Sequence, residues 1–430
     1  MSDLKVLEQS VIDFSNLKKE PDWFQKLRKV AFTKMTTLEL PSFEKIRYQR
    51  WPIIPERMLL ESRKVELDQK RAVGNTVVQV GSRTLSLKLS DELKQKNVII
   101  CDWETALIEH PDLVQKYFMT KAVKWDADRL TSVHLAQLTG GLFIYVPRNV
   151  ELDEPITSYL TQDARDGQDY VHHVLIVAAE NSRFSYLENR DTLGNEATTA
   201  NIIVEVIAEP NSHIKFAGVD QLGENTTAYI NRRGYLLDNA KIDWSIGLLN
   251  NGNIIGDFDS DLIGAGAHAD VKVVAISTGN QIQGIDTRVT NYGKHSIGQI
   301  LQHGVILSRS TLTFNGIGHI IKGAKGANAQ QESRVLMLST KARGDANPIL
   351  LIDENDVQAG HAASVGRVNQ EQLYYLMSRG LHKAEAERLV IRGFLGPVLT
   401  AIPAADVRKR LIETIEGKLI NGQKFEKVSR

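Results

Sequence analysis

The stretch Asp356–Gly380, DVQAGHAASVGRVNQEQLYYLMSRG, divides a 430-residue chain into two textures. Before it, from Gly140 to about Asp353, short apolar and β-branched runs follow one another with almost no helical spacing. After it the apolar residues recur at helical intervals. At the junction His361 stands among small residues in AGHAAS. On an accessible loop such a histidine can ligate a metal or move a proton; the plainer alternative is a buried ring satisfied by a backbone carbonyl.

Working back from the junction, the strand candidates include His173–Ala178, Ile202–Ile207, Lys241–Leu249, Val271–Ile276, Gln299–Leu307, Thr311–Ile320, Arg334–Leu338 and Ile349–Ile352. Gly, Asn or Asp often stands between them, which is strand-and-corner patterning. A sandwich or barrel and a β-solenoid both fit such a series. Hairpins favour Asn-Gly turns, and only Asn251-Gly252 and Asn315-Gly316 occur here. Single glycines at 264, 266, 279, 284, 293, 298 and 304 instead suggest tight corners without reversal, which favours a solenoid, although no strict period emerges.

Towards the N-terminus, Leu4, Leu7, Val11 and Phe14 predict a first helix, and Trp23, Leu27, Val30 and Ala31 a second after Pro21. Leu40-Pro41 and Trp51-Pro52 punctuate an extended stretch that reads as a surface arm. Thr76–Val80 and Val98–Asp102 read as strands, Asp102–Lys116 and Ala127–Leu138 as helices. Beyond the junction, Asn369 with Gln372 has the form of a capping box, and Gly380 suits a helix C-terminus. Ala386, Leu389, Val390, Gly393 and Phe394 form a second stripe. A third begins at Ala404, with Val407, Leu411 and Ile415. These stripes either pack at home or dock a partner.

Composition narrows the function. The 52 basic and 52 acidic residues cancel, so nothing draws the chain to nucleic acid or an anionic membrane. One cysteine, Cys101, excludes disulfide scaffolding and a four-cysteine metal site within the chain; ending an apolar run, it reads as a small buried hydrophobe. There is no signal-like or membrane-spanning apolar run, so the expected location is the cytoplasm.

Several chemical motifs fail on context. Gly264–Ala269 fits a loose dinucleotide fingerprint but leads into a strand pattern. The glycines of 318–326 have Walker-like spacing, but Ala324 stands where the lysine belongs and no serine or threonine follows it to bind magnesium. Adjacent strand residues face opposite ways, so His172 and His173 cannot share one ion. Asp257, Asp259 and Asp261 share one face of a predicted strand, with Phe258 and Leu262 facing inward. Calcium would relieve their repulsion, as in a carbohydrate-active lyase; a solvated strand face is the simpler alternative.

The junction also carries a resemblance. Gln302-His-Gly-Val305, Phe314-Asn-Gly-Ile-Gly318, Pro348-Ile-Leu-Leu-Ile-Asp353, His361-Ala-Ala-Ser-Val-Gly366 and Leu373-Tyr-Tyr-Leu-Met-Ser-Arg-Gly-Leu381 resemble the SufD family of iron–sulfur cluster assembly proteins. Pro21-Asp-Trp23 and Gly141-Leu-Phe-Ile-Tyr-Val-Pro147 extend the likeness over nearly the whole chain. It implies a mainly β fold: a right-handed parallel β-helix core over 139–355, an N-terminal α/β region over 1–138 and a C-terminal helical domain over 356–430. It further implies a non-catalytic scaffold that pairs with SufB through the core. The ATPase SufC would bind Asn369–Leu399, with Leu373, Leu376, Met377, Arg379, Leu389 and Phe394 as the candidate contacts. An iron–sulfur cluster or iron would be shared transiently with SufB, and the complex is associated with reduced flavin. His361 matches the family histidine and becomes the candidate ligand; Ala359 stands where family members can carry a cysteine. A calcium-dependent lyase and a homodimeric iron or cluster carrier are the competing readings.

Overall fold

The computed structural model describes residues 2–58, 63–71, 73–400 and 405–428. Strands dominate, and they wind into a parallel β-solenoid of about eight turns. Each turn contributes one strand to a ten-stranded sheet and one to a nine-stranded sheet, so sequence neighbours alternate between sheets. The expected parallel β-helix, N-terminal α/β region and C-terminal helices are all present.

The absence of a strict period has a geometric origin. The offset between paired residues is 26 where Ala228 meets Ile254, 28 where Thr198 meets Thr226, and 32 where Thr311 meets Arg343. The corners, not the strands, carry the repeat. Asn149, Asn181, Asn211 and Asn239 sit on successive turns with φ between 53° and 60°. Asparagine tolerates this left-handed conformation better than most residues. Their amides also hydrogen-bond up the stack, Asn181 to Asn149 at 2.8 Å, Asn211 to Asn181 at 3.1 Å and Asn239 to Asn211 at 3.2 Å. Gly266, His295 and Gly326 continue the same corner at positive φ.

The lumen is apolar along most of its length, with the tilted rings of Tyr186, Phe216 and Trp244 following one another on consecutive turns, their centroids 5.3 and 4.7 Å apart. One section is charged. Arg232 meets Asp220 at 2.8 and 2.9 Å and Glu188 at 2.9 Å, while Arg190 meets Glu188 at 2.8 Å. All four are fully buried and their charges cancel, which makes the section tolerable in a low-dielectric interior.

At its first end the solenoid is closed. Thr76–Val80 and Arg83–Lys88 pair antiparallel at the edge of one sheet, and Ile99–Asp102 pairs antiparallel at the edge of the other. Helices Ser2–Leu17 and Asp22–Met35 pack with Trp103, Phe118 and the outer face of the nine-stranded sheet. The predicted helix over Asp102–Lys116 is two, Trp103–Glu109 and Pro111–Tyr117, broken at His110 before the proline. The stretch around Leu40–Ile54, expected as a surface arm, is an anchored strap. Tyr48 and Ile53 are buried, and Ile46 lies so close to Gly284 that a Cβ there would sit 2.6 Å away.

At the far end the solenoid continues beyond residue 355. Residues 356–430 open with a further strand, Gln358–Arg367, before the helices Gln370–Ser378, Lys383–Leu399 and Ala405–Val428. The last two helices lie along the ten-stranded sheet, packing Ile391, Leu395, Leu411 and Ile415 on Val219, Val274 and Val305. Ala404 and the Val407 side chain lie outside the described residues. No helix among the described residues is long and apolar enough to cross a membrane.

Candidate functional site

The two sheets end together on strands that have no second neighbour among the described residues, Arg343–Ile352 in one and Gln358–Arg367 in the other. His361 belongs to the second of these. It is therefore on an edge strand, not on the loop that its small neighbours suggested. Its strand is exposed almost throughout. Gln331 pairs beside His361 on the inner side, and Ala329 beside Ala359. Leu351, Ile352 and Val365 add exposed apolar surface at this end, at 42%, 44% and 41% of their full area. An open edge presents unsatisfied backbone donors and acceptors, which a further strand can engage.

His134, His172, His173 and His303 are buried in the fold. His172 points to the lumen, 2.9 Å from Gln79, while its neighbour His173 points outward to His134 at 3.1 Å. They face opposite ways, as strand geometry requires. His173 also lies 3.2 Å from Glu205, whose carboxylate accepts the backbone N–H groups of Met119 and Val123. Burial pushes the Glu205 carboxyl up to about 8 and the His173 imidazole down to about 3. Both are sealed from solvent and can meet no substrate. His303 stacks on Phe394 with ring centroids 4.8 Å apart. Cys101 is buried, and burial pushes its thiol up to about 12, so it behaves as a small hydrophobe.

The acidic strand Ile254–Leu262 has the predicted facing, with Phe258 and Leu262 in the core. Its outer face is only partly solvated, with Asp257 buried and Asp259 and Asp261 half-buried. Arg233 binds Asp257 at 2.8 Å and also pairs with Asp259, and Tyr229 donates to Asp257 at 2.9 Å. Asp286 from the next turn joins this pair, and ligand atoms of Asp257, Asp259 and Asp286 lie within 4.8 Å of one another. Asp261 is outside that trio. A guanidinium already bridges two of the three carboxylates, so the arrangement does not favour the calcium-lyase reading. Asp286 was hidden from sequence reasoning because it joins the cluster through the solenoid register, Asp257 opposite Asp286.

Of the six residues expected to meet an ATPase partner, three turn inward. Leu373 is 3% exposed and packs with Val368 and Ala386. Leu376 is partly buried in the same cluster, and Phe394 is held by His303. Met377, Arg379 and Leu389 remain exposed. Sequence reasoning passed over Tyr374 and Tyr375, which are 75% and 58% exposed. They lie off the Leu373–Leu376–Met377 stripe, and consecutive aromatics on the outer face of a helix are their signal. Asn369 caps that helix, accepting the backbone N–H groups of Glu371 and Gln372 at 2.8 and 3.3 Å, and Gly380 closes it at φ 97°.

Comparison with known sequences agrees with this arrangement. Residues 159–394 match the SUF system FeS cluster assembly SufBD core domain, and residues 75–157 match the SufBD protein N-terminal region. The iron–sulfur cluster assembly protein SufD of Bacillus subtilis is 43% identical over 97% of this chain and 98% of its own length. An iron–sulfur cluster assembly SufBD family protein of Staphylococcus saprophyticus is 24% identical over 97% of this chain and 95% of its own.

Proposed function

The chain belongs to the SufBD family of iron–sulfur cluster assembly proteins and is of the SufD type, and on that premise we propose that it is a non-catalytic cytoplasmic scaffold. Its open solenoid end pairs with the corresponding end of SufB, and its helical tail receives the ATPase SufC. The observation that carries this reading is the simultaneous ending of both sheets on edge strands with no second neighbour among the described residues, the largely half-buried Arg343–Ile352 and the exposed Gln358–Arg367. Two parallel edges side by side suit a second solenoid of the same construction, whose strands would continue both sheets.

Within that pairing His361 offers an imidazole at the joint, and Ala359 offers nothing. Iron or a nascent cluster is then the cargo, with SufB supplying thiolate. The exposed Tyr374, Tyr375, Met377 and Leu389 form the matching face for SufC. Aromatic and Met side chains are the ones that anchor such interfaces.

Co-expression with SufB and SufC tests the reading. A stable complex is expected, and deletion of the residues after Asn369 is expected to release SufC while retaining SufB. SufC that still co-purifies with the truncated chain would overturn the docking assignment. Loss of SufB with the solenoid intact would overturn the edge pairing.

A further inference from the structure

A cleft of about 870 Å³ lies between the solenoid and one face of the terminal helix Ala405–Val428. Its solenoid wall is three stacked corners, 221–227, 249–253 and 278–281. Its other wall is Thr414, Gly417, Lys418 and Asn421, which recur at helical spacing on one face. The lining is rich in amides, with Asn225, Asn251, Asn253, Asn280 and Gln281. This is a volume suited to a small molecule, since such sites run to about 300–1,000 Å³.

Lys418 is 8% exposed. Its ammonium donates to the carbonyl oxygen of Asn250 and lies 3.5 Å from Oε1 of Gln281. Both acceptors are neutral, and no carboxylate oxygen lies within 4.0 Å of Nζ among the described residues. Glu224 also lines the cleft but is exposed and forms no ion pair with Lys418. A second group is unsatisfied nearby: Nδ2 of the fully buried Asn250 has no acceptor. Buried donors without acceptors are costly, and a buried cation without a counter-charge more so. Burial brings the Lys418 amine down to about 7, so neutrality is one way the protein meets that cost. A bound anion would be the other.

We propose that this cleft binds a small polar molecule through an oxyanion group, phosphate or carboxylate, with Lys418 as its counter-charge and the asparagine-rich corners holding its polar body. Because Lys418 arrives on the terminal helix, the ligand would also fasten that helix to the solenoid. The inference stands on the cleft alone and does not depend on cluster assembly.

Calorimetric titration of the full-length protein with ribose 5-phosphate, inorganic phosphate and citrate tests it, at about pH 6 and about pH 8.5. Saturable binding of at least one probe is expected, weaker by about tenfold or more at the higher pH. Near neutrality the heat should depend on the buffer, because binding draws a proton onto the amine. Lys418→Met should weaken binding by at least about tenfold. Lys418→Arg should keep binding and lose the weakening at the higher pH, which covers the case in which the methionine variant misfolds. Ribose 5-phosphate binding without citrate would assign a phosphorylated ligand, and the converse a carboxylated one. The proposal is overturned if none of the probes saturates the protein, or if a folded Lys418→Met binds as tightly as the parent.

Discussion

Gln331 and His361 stand side by side on adjacent parallel strands, yet Gln331 is 5% exposed and His361 lies open on the last strand. The same position is therefore structural on one turn and available on the next. His361→Ala removes an exposed ring. Its unfolding free energy should stay within about 0.5 kcal/mol of the parent. If the imidazole serves the cargo, iron and acid-labile sulfide in the co-purified complex should fall several-fold. Unchanged iron and sulfide would remove His361 from the mechanism.

Tyr374 and Leu373 are neighbours on the helix Gln370–Ser378 with opposite fates, 75% and 3% exposed. Tyr374→Ala combined with Tyr375→Ala should weaken SufC capture by more than about 1–2 kcal/mol, read from co-purification and binding isotherms, without moving Tm. Leu373→Ala should instead cost about 2–3 kcal/mol of local packing, read as a lower melting transition. Equal SufC capture by the tyrosine pair variant and the parent would move the docking face elsewhere.

This contrast also marks how far the sequence could be read. Strand-like runs and scarce hairpin turns were enough to favour a solenoid, because both are local properties. Its period was not legible, since the offset drifts between 26 and 32 residues and the constant element is the left-handed corner at Asn149, Asn181, Asn211 and Asn239. Helical spacing located Leu373 and Leu376 but could not say which stripe the solenoid would cover. The strand character of His361 was concealed by AGHAAS, whose small residues gave no β-branched signal. Asp286 joined Asp257 only through register, which no single strand reveals.

Arg232 tests the charged section of the lumen. It pairs with both Asp220 and Glu188, and all three side chains are fully buried. Arg232→Met keeps most of the volume but leaves excess negative charge in the interior, with Asp220 deprived of this bidentate partner. A loss of about 3–5 kcal/mol is expected in denaturant unfolding. A loss under about 1 kcal/mol would mean that water reaches the lumen and solvates the carboxylates.

Asp286 gives the pH dependence a definite sign. It lies under the strap opposite Asp257, and Asn315 donates to it at 2.9 Å. Burial, reinforced by the charge of Asp257, pushes its carboxyl up to about 6 from an ordinary 3.8. Below the ordinary value the group is protonated folded or unfolded and does not affect stability. Between about 4 and 6 the unfolded chain releases the proton while the folded chain keeps it, so stability falls as pH rises. Above about 6 the full penalty persists, on the order of 1–3 kcal/mol. Asp286→Asn keeps an acceptor for Asn315 and extends the neighbouring asparagines of this register, Asn231, Asn315 and Asn347. It should raise Tm by a few degrees at about pH 7.5 and have little effect at about pH 4. A variant less stable than the parent at the higher pH would mean that the ionised Asp286 has a favourable partner there, such as a bound cation, in place of an uncompensated charge.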